Sequence, residues 1–364
     1  MAKPIRISIA GLLAGSALTG VAFTAQAAPT EQQWQAFSQA VAAEHILPRY
    51  RTLAESSAQL QQQSEALCGD SSEATLHSTR QAFHQTMDAW QAIQHVQFGP
   101  VELLMRNFSL QFWPDKKNLG GKQLSALLQN ADPATLDAEH FRAASVAVKG
   151  LPALERLLFA DDALAQYQQQ PFRCQLTAAI TGHVATMSRE IDSEWQQYRQ
   201  EFEQLNGSGY YEDANEAATD LLKSLVEPIE VVRDNKLLRP MGSSASKPKP
   251  RRAESWRSGR SLRNIRINLQ TQQALFNSGG EHSVKALLTA EGEAALAQQI
   301  DDAFTLILGQ LEQLPSPLSR TLKDAQHYQQ LQLISDELKA LHFALSQAMQ
   351  PLEIQLGFNS RDGD

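Results

Sequence analysis

The chain has 364 residues, 42% of them hydrophobic and 20% charged, a globular composition that excludes an intrinsically disordered protein. Its 32 basic and 40 acidic residues give a formal net charge of −8, which disfavours nucleic acid and anionic membrane surfaces as partners. Only two cysteines occur, Cys68 and Cys174, too far apart for the usual spacing of a zinc site.

Residues 1–27 read as a cleavable secretory signal. Lys3 and Arg6 supply a positive start, an apolar stretch runs from Ile7 to Phe23, and Ala25-Gln26-Ala27 forms a small-x-small cleavage site. The predicted mature chain starts at Ala28 and is periplasmic, with no later segment apolar enough to span a bilayer. In that oxidising compartment the isolated pair Cys68 and Cys174 is most simply a disulfide, linking the start of the second helix to the start of the long helix.

Helical spacing dominates the rest. Thr30 with Gln33 three residues on is a capping-box pattern, and Trp34, Phe37 and Val41 follow it. Leu76, Phe83, Met87 and Trp90 mark the next helix, which Phe98-Gly99-Pro100 ends. Phe112-Trp113-Pro114-Asp115-Lys116-Lys117 reads as an ordered, partly buried loop, a place where sites are often built. Asp132-Pro133 predicts another helix start. Leu176, Ile180, Val184, Met187, Ile191, Tyr198 and Phe202 mark a long helix. Asn206-Gly207-Ser208-Gly209 is the clearest break, dividing the mature chain into 28–206 and 207–364. Beyond it, Leu221, Leu222, Leu225, Ile229 and Val232 mark a helix. The stretch from Arg239 to Trp256 reads as an exposed loop, whose basic cluster of Lys247, Lys249, Arg251 and Arg252 could grip an anion but is more simply solvated. Further helices are predicted over 261–276, 291–314 and 322–349. Strand-like alternation is absent, so the fold class is all-α, with enough amphipathic helix in each half for a bundle.

Three groups could carry chemistry. His84, Asp88, Gln91 and His95 fall on one helical face at steps of four, three and four; the two imidazoles and the carboxylate could hold a divalent metal, or the face could simply be polar surface. In Gly150-Leu151-Pro152-Ala153-Leu154-Glu155, the proline should start a new helix and place Glu155 in its first turn, near unpaired backbone donors. That position suits either a structural carboxylate or the edge of a site. Arg257 and Arg263, around Ser261 as an expected N-cap, could clamp a carboxylate or phosphate. There is no HExxH, no G-x-S-x-G and no phosphate-cradling or dinucleotide glycine loop.

Taken together, FGP at 98–100, FWPDKKNLGGKQLSALL at 112–128, VKGLPALERLLF at 148–159 and the C-terminal LGFNSRDGD resemble the imelysin (imelysin-like peptidase) family. The resemblance implies an exported bacterial protein of two helical bundles related by a pseudo-repeat. The family was named for proteolysis, and relatives are associated with iron uptake. Its GxHxxE motif reads here Gly150-x-Pro152-x-x-Glu155, as in a GLPALE subgroup, so the nitrogen ligand is missing. The expectation is therefore a periplasmic binding or accessory protein linked to iron acquisition, with its site near the seam between the bundles and with iron-uptake components of the cell envelope as partners. Trp113, Asp115, Lys116, Gly150, Glu155, Arg257 and Arg263 are the candidate ligand-binding residues. Iron or another divalent metal is the candidate cofactor, with Glu155, His84, Asp88 and His95 as candidate ligands. The alternatives are a metallopeptidase of the imelysin type and a structural bundle without a small ligand.

Overall fold

The computed structural model describes residues 28–205 and 209–357. The expected signal segment 1–27, and most of the C-terminal LGFNSRDGD, lie outside the described residues. Helices α1 (Glu31–Ala40), α2 (Leu47–Gly69) and α3 (Glu73–Gln91) come first, followed by α4 (Leu119–Asn130), α5 (Leu151–Leu158) and α6 (Pro171–Tyr198). After the break come α7 (Ala214–Val231), α8 (Ser261–Asn277), α9 (Ala294–Glu312) and α10 (Ala325–Ala348). No strand occurs among the described residues, so the all-α expectation holds. No helix among them is long and apolar enough to cross a membrane.

Local chemistry sets several boundaries. Thr30 and Gln33 form the expected capping box at α1, and Ser72 with Thr75 forms another at α3. Asp132-Pro133 opens only a 3-10 turn, Pro133–Leu136, because Asp137 follows at once as a second cap for a short helix, Ala138–Ala143. Ser261 is not the cap of α8: Arg260 stands there without a side-chain cap bond, and the Ser261 hydroxyl donates to the Glu254 carbonyl at 2.6 Å.

Helix α2 packs along α3 and α6, and α5 lies against α3, α4 and α6. In the other half α9 packs on α8 and α10, and α7 on α10. The chain break is not a division in space. Helix α1 lies against α7, α3 meets α8, and one apolar core runs from Trp34 to Ile354 through both halves. Cys68, in the last turn of α2, is bonded to Cys174 in the first turn of α6, with Cα atoms 5.4 Å apart. The expected disulfide is therefore present, although Cys68 ends one helix rather than starting the next.

Both α1 and α7 run into a π-helical turn, Val41–Ile46 and Val232–Leu238. Such turns insert an extra residue and often lie at functional sites. Here they bury His45, against His95, and Lys236, against Gln91 of the other half.

Candidate functional site

Gly150 begins α5 in extended backbone. A Cβ there would stand 2.2 Å from the Ser109 carbonyl oxygen and 2.6 Å from that of Leu110, so close approach of another segment requires glycine. Pro152 follows in the first turn, where a missing N–H costs nothing. This start buries Glu155. Its Oε1 accepts from the Ser258 backbone N–H at 2.9 Å and from the Ser258 hydroxyl at 2.7 Å. The donors thus come from a loop in the other half rather than from the helix's own first turn. Burial pushes the Glu155 carboxyl above the usual range; the Ser258 bonds and the charges of Arg257 and Arg156 oppose that push without cancelling it.

The loop before α4 faces the same space. Asp115 accepts from the N–H groups of Leu119 and Gly120 at 2.7 and 2.9 Å, satisfying the start of α4. Arg156 donates to Asn118 at 2.8 Å and stands 3.8 Å from Asp115, tying α5 to this loop. Trp113, Asp115, Lys116, Glu155 and Arg257 all line one cavity of about 320 Å³, five of the seven expected ligand-binding residues. Gly150 acts by letting α5 start close to Leu110 and is not in the lining. Arg263 lies elsewhere, with its Nε 2.8 Å from Asp88.

The stretch from Arg239 to Trp256 is not simply an exposed loop. Arg239, Arg251 and Arg252 line the cavity, and Arg251 and Arg257 stand over the Trp256 ring at 5.5 and 4.3 Å from its centroid. Ala253, Glu254 and Ser255 are buried. The anchor is Glu254, whose Oε2 is 3.0 Å from Lys236 Nζ and accepts from Asn264 at 2.7 Å, while Oε1 accepts from Gln111 at 2.7 Å. Lys236 also donates to Gln91 and Asn268, at 2.8 and 2.7 Å. Burial pulls the Lys236 ammonium down, and Glu254 pulls against it. This polar layer floors the cavity on one side. On the other it borders a second space of about 160 Å³ lined by Lys236, Asn268, Gln272 and His95.

The expected metal face does not assemble. Helix α3 ends at Gln91, and the turn after it carries His95 away from the stripe, to meet His45 with the two Nε2 atoms 2.9 Å apart. Arg260 donates to His84 Nδ1 at 3.0 Å and to Asp88, and Arg263 also binds Asp88. Burial and these cations lower His84 to about 4, and burial lowers His95 to about 3. Among the described residues, no three His, Cys, Asp or Glu side chains gather to hold a metal ion. Glu155 does not gather with His84, Asp88 or His95 into any such group, and its carboxylate accepts from Ser258.

Comparison with known proteins agrees with this architecture. The family described as Imelysin matches residues 46–345. The chain belongs to the imelysin family. Iron-regulated protein A of Synechococcus elongatus is 24% identical over 335 residues, covering 88% of this chain and 86% of that protein. An imelysin-like protein from Psychrobacter arcticum has the same fold, with a TM-score of 0.78 at 23% identity, covering 91% of this chain and 98% of the other. A Parabacteroides distasonis structure described as an iron-regulated protein A precursor superposes with a TM-score of 0.70 at 17% identity, over 88% and 96% of the two chains.

Proposed function

We propose that this protein is an exported binding or accessory protein of iron acquisition. Its ligand site is the cavity over Glu155 at the seam of the two halves, and it works with iron-uptake components of the envelope rather than as a peptidase. The names of the Synechococcus and Parabacteroides relatives support the link to iron. The observation that carries the reading is the use made of Glu155. A metallopeptidase needs a metal-bound or base-activated water with a carboxylate free to take its proton. Here Pro152 supplies no nitrogen ligand on the same turn, no three His, Cys, Asp or Glu side chains gather to hold a metal among the described residues, and Ser258 ties one of the two Glu155 carboxylate oxygens into the wall. What remains is a preformed cavity whose walls come from both halves, as a binding site requires.

The test has two parts. N-terminal sequencing of periplasmic material should find Ala28 first, and a chain still beginning at Met1 would reject export. Metal content of that material should then show a metal carried together with its ligand, and calorimetric titration of iron, copper and zinc with that ligand present should show binding that Glu155→Gln weakens without lowering the melting temperature. A variant that only melts earlier, with every affinity intact, would make Glu155 structural.

A further inference from the structure

The cavity over Glu155 gathers six basic side chains, Lys116, Arg156, Arg239, Arg251, Arg252 and Arg257, in a chain that is net acidic. Three carboxylates share the wall, and each is already engaged. Asp115 holds the start of α4, Glu155 accepts from Ser258, and Glu254 is paired with Lys236. Arg239, Arg251, Arg252 and Arg257 have no carboxylate at ion-pair distance among the described residues, and Arg239 buries its Nη1 with no acceptor. Their charges also press on one another. After burial, Arg252 is what lowers Arg239, and Arg156 heads the neighbours that lower Arg257, with Arg251 adding to it and Glu155 and Asp115 offsetting only part. Four mutually repelling guanidiniums around one space are a cost to the empty protein that a bound anion removes.

We propose that this cavity takes a small organic polycarboxylate. The inference rests on the reading of the cavity as the ligand site and names its ligand class. Guanidinium forks bind carboxylates bidentately. The cations come from separate segments, the loop at 116, α5 at 156, the turn at 239 and the 251–257 loop, so positive charge surrounds the space rather than marking one point. One small oxyanion meets only part of that wall, whereas several carboxylates on one carbon frame meet it from several sides. The volume, about 320 Å³, sits at the small end of ligand sites, which run from about 300 to 1,000 Å³. A bare metal cation would face an excess of positive charge. Trp256, with Arg251 and Arg257 both over its ring, helps position the two guanidiniums before a ligand arrives.

The experiment is calorimetric titration of the mature protein with citrate, acetate, inorganic phosphate and zinc chloride. Citrate should bind more tightly than the other three. Arg251→Gln and Arg252→Gln, both exposed side chains at the cavity, should each weaken it about tenfold or more, with unchanged melting curves. Arg263→Gln removes the same charge outside the cavity and should leave the affinity unchanged. Phosphate binding as tightly as citrate, or an equal loss in Arg263→Gln, would overturn the proposal. Zinc binding abolished by Glu155→Gln, with no citrate binding, would overturn the ligand class yet keep the cavity as the ligand site. Citrate binding indifferent to every cavity variant would remove both.

Discussion

Glu155 and Ser258, 103 residues apart in sequence, are joined by two hydrogen bonds to a single carboxylate oxygen, and this contact links the two halves at the wall of the cavity lined by Trp113, Asp115 and Arg257. It makes Glu155 a buried group whose ionised form is only partly compensated. A carboxyl raised in the folded state contributes stability below its unfolded value and loses it as pH rises through the folded value. Glu155→Gln, which keeps an oxygen for Ser258, should therefore melt no earlier than the native protein at neutral pH and should lose any advantage as pH falls below about 4.3, the unfolded value. Melting curves of both proteins from about pH 4 to 8 decide it. A variant markedly less stable at neutral pH would mean the charge itself is needed for the fold.

The histidines push pH dependence the other way. His95 is lowered to about 3, His84 and His183 to about 4, and His45 well below 6.5, chiefly by burial. Between those values and about 6.5 the unfolded chain binds protons that the folded chain does not, so stability must fall with pH. The melting temperature should drop from about pH 7 to pH 5, and His95→Gln should flatten that slope. A native protein whose melting temperature holds or rises over the same range would show that these groups protonate in place.

Lys236 and Glu254 are both buried and depend on each other. Lys236→Met should cost about 3–5 kcal/mol, because it leaves a buried carboxylate without its cation. Adding Glu254→Gln to Lys236→Met should recover a large part of that loss. Denaturant midpoints of the single and double variants measure it, and losses that simply add would show that the two groups act independently.

The Cys68–Cys174 bridge closes a separation of 106 residues. Loop-closure reasoning gives it up to about 4.7 kcal/mol. Intact mass should show two alkylations only after reduction, and the reduced protein should unfold at lower denaturant. Two thiols alkylated in the unreduced native protein would contradict the bridge.

The helices were legible because their apolar residues recur at helical spacing, and Trp113, Asp115, Lys116, Glu155 and Arg257 stood out as charged or aromatic residues beside breaks. What was not legible lay in pairings across the fold. Arg251 and Arg252 look solvated in composition, and nothing local reveals that Glu254 next to them is held by Lys236, Gln111 and Asn264. The His84–Asp88–His95 face failed for two reasons of the same kind. Local periodicity continues past Gln91, where the helix stops, and it cannot see that Arg260 and Arg263 come from another helix end to take Asp88. The π-helical turns that bury His45 and Lys236 leave no periodic signature in so few residues.

The central claim is that the cavity over Glu155 binds a ligand and does not hydrolyse peptides. The most direct measurement is incubation of extensively purified, metal-supplemented protein with unfolded protein substrates, beside Glu155→Gln and a chelated control. The account predicts intact substrate in all three. Cleavage by the native protein that disappears in Glu155→Gln or on chelation would contradict it and establish a metallopeptidase.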